Sequence, residues 1–172
     1  VQALVHNEPI EETRTVENLM RTETAKPQSI NSEFFFGLGL GAAVAVGAPG
    51  FKEAYGVELI LQHQSTHWAI GGTARFLGSG DLVLANFNLG ARYFMLDTNI
   101  SPFIGSSLGL YAMDLDLYED GSGGLGAQVE VGIEVLRFQN SRLGVALRAD
   151  LPFFDVNDQY AVPVGLHIYY LF

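Results

Sequence analysis

Along most of this chain hydrophobic residues return at every second position, the period of a β-strand whose side chains point alternately to two faces. The first such stretch is the most ambiguous. Phe34 to Phe51 is uncharged and long enough to be a transmembrane-helix candidate, and Gly37 with Gly41 forms a GxxxG pair. Within it, however, Phe36, Leu38, Leu40, Ala42, Val44 and Val46 alternate with Gly37, Gly39, Gly41, Ala43, Ala45 and Gly47. That is a strand's repeat. Seven further segments carry it, with apolar faces at Val57/Leu59/Leu61, Trp68/Ile70/Ala74/Phe76, Ala85/Phe87/Leu89/Tyr93, Ile104/Leu108/Leu110, Val129/Val131/Ile133, Val145/Leu147/Leu151 and Val164/Leu166/Ile168/Tyr170.

The opposite faces mix glycine and alanine with hydrogen-bonding or ionised groups, whereas the middle of each apolar face is free of charge. A soluble barrel needs its apolar residues inside. This chain can hide its polar face only by closing around it, which turns the apolar face toward lipid, and a closed sheet is the β arrangement that satisfies every backbone group in a bilayer. The pattern therefore predicts an all-β fold, an eight-stranded antiparallel up-and-down transmembrane β-barrel over residues 34–172. Connections around Gln64 to Thr66, Asp97 to Asn99 and Gln139 to Ser141 are expected to be tight. Those at Ala48 to Glu53, Gly78 to Asp81, Asp114 to Gly124 and Phe154 to Asp158 are expected to be mostly longer. Aromatic residues on the apolar faces fall at two levels. Tyr55, Phe76, Phe153 and Tyr160 sit beside the longer loops, and Phe34, Phe36, Trp68, Tyr93, Tyr170 and Phe172 beside the short turns, as two interfacial girdles would.

Composition then divides the chain. All 20 glycines lie at or after Gly37, while residues 1–33 are polar and acidic. That leading segment buries little surface against its ordering entropy and is read as a mostly disordered N-terminal extension. Val16, Leu19 and Met20 have a helical spacing within it, so docking on a partner is the alternative to a solvated tail. No basic start followed by an apolar core opens the chain, so a signal peptide is not expected in it. The formal charge is -10, from 9 Lys+Arg and 19 Asp+Glu, which argues against nucleic acid as a partner. The chain has no cysteine, which excludes disulfides and thiolate chemistry.

Residues 34–172 resemble the OmpA/OmpX-type, or opacity-type, outer membrane β-barrel family. Ser101 to Tyr111 (SPFIGSSLGLY) looks like the family's fifth-strand pattern, and Leu166, Ile168, Tyr170 and Phe172 are similar to its C-terminal assembly signal. The resemblance implies the outer membrane of a Gram-negative-type cell, with outer-membrane lipids around the barrel. It also implies recognition by the barrel-assembly machinery through the last strand, with Tyr170 and Phe172 as the signal.

An eight-stranded barrel is narrow enough for side chains to fill. The inward charges are Glu58, Glu130, Glu134 and Asp150 against Arg75, Arg92 and Arg148, with His67 and His167 nearby. Buried ions persist only when paired, so a polar plug is expected, with Glu58–Arg75 and Glu130–Arg148 as pairs; a gated ion path is the alternative. A lipid-modifying enzyme is not expected. His63, on the lipid side, and His167, pointing inward, are both placed near the short-turn end, away from the outer leaflet, and neither has a serine and carboxylate at suitable spacing. The acidic Asp114 to Asp120 loop has hard oxygen ligands but not the spacing of a calcium loop. No metal or cofactor is expected. A structural or interaction role follows, with residues 1–33 or the Asp114–Gly124 loop as the surfaces for an envelope protein partner. The alternative is a narrow pore for ions or small solutes.

Overall fold

Eight strands account for the eight alternating segments: β1 (Glu33–Val46), β2 (Glu53–Gln64), β3 (Trp68–Gly78), β4 (Val83–Phe94), β5 (Ile100–Asp114), β6 (Ser122–Val135), β7 (Arg142–Pro152) and β8 (Val162–Leu171). The computed structural model describes residues 32–48, 50, 52–80, 82–115, 121–137, 140–156 and 160–172. Residues 1–31 of the leading extension and 116–120 of the acidic loop lie outside the described residues.

Each strand pairs antiparallel with its sequence neighbour, and β1 pairs with β8, so the sheet closes as an up-and-down barrel. The glycine-rich run that invited a helical reading is β1, held on one side by β2 and on the other by β8. Closure leaves no free ladder edge, which is the condition for a sheet in hydrocarbon. Proline respects the same rule. The β7–β8 ladder stops at Ala149↔Val164, so Pro163, with no N–H to donate, is paired only with Ala45 of β1.

Connections 47–52, 79–82, 115–121 and 153–161 gather at one end, the loop end, and 65–67, 95–99 and 136–141 at the other, the turn end. The contrast in length is smaller than expected, since 79–82 is shorter than 136–141. The Asp114–Gly124 segment is also less of a loop than its glycines suggest. Tyr111↔Gly124, Ala112↔Gly123 and Met113↔Ser122 continue the β5–β6 ladder, because a strand's partner can dictate pairing where its own sequence has no alternation. The chain leaves β1 through Gly47, whose φ of 96° suits a residue without Cβ.

The two faces separate as the period requires. Leu40, Ile70, Leu89, Leu108, Leu125 and Leu147 stand exposed around the outer wall, while Glu58, Arg75, Asn88, Arg148 and His167 are buried inside. All ten aromatic residues assigned to the two girdles are exposed on the outer wall. At the turn end they touch: Trp68 and Tyr93 centroids lie 4.9 Å apart, and Phe36 and Phe172 5.3 Å. The polar-in, apolar-out wall is that of a membrane-spanning barrel.

An outward cation near mid-belt should therefore be costly in lipid. Leu108→Arg, at the middle of β5, is expected to lower stability by about 2–4 kcal/mol in urea titrations of vesicle-inserted protein, and Ile100→Arg, at the strand's end, by about 0–1 kcal/mol.

Candidate functional site

Among the described residues, chemistry-bearing side chains converge in the lumen, which is layered along the barrel axis. Its middle layer is ionic. Arg148 of β7 donates through Nε to Glu130 Oε2 at 2.8 Å and through Nη1 to Glu58 Oε1, so one guanidinium joins carboxylates of β6 and β2. Arg92 of β4 donates to Glu130 Oε1 at 2.5 Å and Oε2 at 3.3 Å, and through Nη1 to Gln62 Oε1 at 2.9 Å. Arg75 of β3 reaches across the lumen to Asp150 of β7 at 2.5 Å. Asp150 also accepts from the Tyr111 hydroxyl at 3.2 Å.

His167 completes this layer. Its Nε2 accepts from Arg75 Nη1 at 2.9 Å, which places the ring proton on Nδ1, 3.9 Å from Glu58 Oε2. Sequence position put this histidine near the turn end; the structure places it beside Gly41 and Ala146, among the ion pairs. Gly41 makes the room, because a Cβ there would sit 2.4 Å from the imidazole.

The expected Glu58–Arg75 pair is replaced by pairs across the barrel. The two residues are register partners on β2 and β3. Their side chains nevertheless go to β7, Glu58 to Arg148 and Arg75 to Asp150. In so narrow a barrel the opposite wall is within an arginine's reach, and spanning it lets Arg148 bridge Glu58 and Glu130 while Asp150 takes Arg75. Glu130–Arg148, predicted on adjacent strands, is present. Arg75, Arg92 and Arg148 thus balance Glu58, Glu130 and Asp150, all at most 8% exposed. Such a layer tolerates burial only because it is internally neutral.

Glu134 belongs elsewhere. It sits at the turn end between two cations that the alternation did not pick out, 3.7 Å from Arg137 and 3.8 Å from Arg142. It accepts from Gln64 at 2.7 Å and Tyr169 at 3.1 Å. Gln64 in turn accepts from Gln62 at 2.9 Å, which carries a hydrogen-bonded path from Arg92 down β2 to Glu134. Arg137 clasps this end shut. Its guanidinium donates to the carbonyls of Thr66 at 2.6 Å, Leu96 at 2.8 Å and Thr98 at 3.5 Å, and stacks 4.1 Å over Phe94. It therefore ties together the three turns of this end. Burial pushes its pKa down from the usual arginine range, and Glu134 opposes the shift. Leu136, with φ of 63°, accepts a strained backbone immediately before it. Neither arginine was visible to period-two reading, since both flank a turn; a cation beside each end of a turn was the only signal.

The loop end is apolar. Leu77, Leu82, Leu84, Met113, Leu115 and Val156 are at most 2% exposed and form one cluster closing that mouth. A second cluster, with Phe35, Phe94, Phe103 and Tyr169, lies beneath the ion layer. Arg92 lies 4.8 Å over the Tyr169 ring and 5.3 Å over Phe103. At the level of the ions a hollow of about 30 Å³ is lined by inward-facing Gln62, Thr73, Asn88, Arg92 and Gln128 and by Gly72, Ala91 and Ser106 of the outer face, so it opens on the barrel wall. His63 lies apart from all of this, against Ser32 at 2.6 Å and the Phe34 ring. Among the described residues no group of three or more His, Cys, Asp or Glu side chains is placed to hold a metal ion.

No family model matches the chain, and no curated protein does. Solved structures do. Neisserial surface protein A superposes with a TM-score of 0.67 at 17% identity, over 80% of this chain and 95% of that one. The N-terminal β-barrel domain of Pseudomonas aeruginosa OprF gives 0.56 at 10% identity, over 83% of this chain and 100% of that one. Ail, the attachment invasion locus protein of Yersinia pestis, gives 0.51 at 12% identity, over 83% and 99%. At these identities the shared property is the fold, a small closed barrel of the kind these surface and outer-membrane proteins have.

Two substitutions separate the layers. Arg148→Met strips Glu58 of its cation and leaves Glu130 with Arg92 alone, and should lower stability by about 3–5 kcal/mol in urea titration. Arg137→Met leaves the part-buried carbonyls of Thr66, Leu96 and Thr98 without this charged donor, at about 1–3 kcal/mol. Its particular signature is faster amide hydrogen exchange in 65–67 and 95–99 with the strands still protected.

Proposed function

We propose that the chain is an integral outer-membrane β-barrel whose role is structural or interactive, with a lumen that does not conduct. The observation that carries this reading is the interior. A neutral layer of three arginines and three carboxylates spans the barrel, with an apolar cluster above it and a hydrogen-bonded clasp below. The outer wall supports the membrane setting, since its exposed leucines, isoleucines and valines would cost about 25 cal/mol per Å² of apolar surface left in water. The solved relatives in fold support the outer membrane as the location. A barrel of this kind offers its loops, together with residues 1–33, to an envelope partner and contributes no transport path.

Planar-bilayer recording of the purified protein tests the closed lumen: the expected trace is silent. A steady conductance that changes on Arg148→Ala would establish the alternative, a narrow pore for ions or small solutes. Purification in mild detergent from native membranes, with and without residues 1–30, tests the partner. A copurifying protein lost with that segment is the expected result, and an unchanged set of companions rejects the extension as the tether.

A further inference from the structure

Arg92, Gln62, Gln64, Glu134 and Tyr169, each at most 5% exposed, close a ring of contacts in the turn-side half of the lumen. Arg92 donates to Gln62 Oε1 at 2.9 Å, Gln62 Nε2 to Gln64 Oε1 at 2.9 Å, and Gln64 Nε2 to Glu134 Oε1 at 2.7 Å. The return runs through Tyr169, which donates to Glu134 Oε2 at 3.1 Å and has its ring 4.8 Å from the Arg92 guanidinium. These residues belong to β2, β4, β6 and β8, so the ring engages every second strand of the barrel.

The two ends of the relay fix its direction. A guanidinium can only donate and a carboxylate can only accept. Gln62 must therefore turn its carbonyl to Arg92 and its amide to Gln64, and Gln64 must turn its carbonyl back and its amide to Glu134. Neither amide can flip without placing like groups together at both of its contacts. Aligned hydrogen bonds in a low-dielectric interior strengthen one another, and a broken junction strands buried polar atoms on both sides of it. Each end also belongs to a larger assembly. Arg92 holds Glu130 in the ion layer with two bonds, and Glu134 lies 3.7 Å from Arg137, whose guanidinium grips the three turns.

We propose that this ring couples the ion layer to the turn end, so that the grip of Arg137 on the turns depends on how Arg92 is engaged in the lumen. The two layers form one element with two arrangements, relay closed and turns held, or relay broken and turns loosened. Short turns face the periplasm in barrels of this kind, so a change of pairing in the lumen is felt on that face. The coupling goes beyond the closed-lumen reading and holds whether or not the lumen conducts.

Amide hydrogen exchange of the barrel in detergent micelles tests this at Met95 and Leu96, whose amides donate to the Pro102 carbonyl and the Ser101 hydroxyl. Their connection joins β4 to β5 and is attached to neither β2 nor β8. Gln62→Met cuts the relay, adds no charge and leaves the Arg92–Glu130 bonds in place; Tyr169→Phe opens the return and keeps the ring. Each should speed exchange of these two amides by about fivefold, the effect of losing one or two hydrogen bonds. Glu134→Gln should speed it as well. Gln62→Met combined with Glu134→Gln should fall well short of the product of the two, although Gln64 stands between the residues and independent sites would multiply. Asn88→Ala removes a buried lumen bond to Gln128 outside the ring and should leave both amides as in the parent. Slow exchange at the strand centres shows that a variant is folded. Unchanged exchange of Met95 and Leu96 in folded Gln62→Met and Tyr169→Phe barrels, effects that multiply, or an equal rise in Asn88→Ala overturns the proposal.

Discussion

Every backbone N–H and C=O in a hydrocarbon layer must find a partner within the protein, and here β1 meeting β8 meets that demand. The rest of the molecule follows from that closure. Once the sheet is a ring, every second side chain is confined to an interior too narrow for bulk water, and charges placed there must neutralise one another. Arg148 shows the result. It lies between Glu130 on the neighbouring strand and Glu58 across the barrel, a position that an open sheet does not offer.

Confinement also explains the size gradient inside the wall. Large ions and aromatics need opposing small residues, and the inward glycines supply them. Gly41 faces His167, and Gly144 lies against Tyr169, where a Cβ would fall 2.1 Å from the ring. The abundance of glycine is thus less a matter of flexibility than of volume. The ionic layer, the aromatic cluster below it and the apolar plug above it fill the bore between them.

The ends carry whatever individuality the barrel has. Hydrogen bonds from Arg137 to fixed carbonyls hold the turn end, while apolar packing among the described residues fills the loop end, so the two ends are held by different interactions. The fold alone does not assign a partner, since small barrels of this shape serve unrelated tasks.

Strand number, the inward and outward sets, the lipid-facing belt and the two aromatic levels were legible in the sequence, because period-two alternation survives in any register that keeps the faces intact. Glu130–Arg148 was legible for the same reason, being a contact between adjacent strands. The pairing of Glu58 with Arg148 and of Arg75 with Asp150 was not, since contacts across the bore depend on diameter and on which strands stand opposite. Arg137 and Arg142 escaped because turns have no period, and Arg137 follows Leu136, whose φ of 63° no alternation pattern announces. The sequence by itself determined which residues face lipid and which face the lumen. Only the closed tertiary structure decided how the lumen charges pair and what shuts each end, because these depend on distances across a ring that no local pattern encodes.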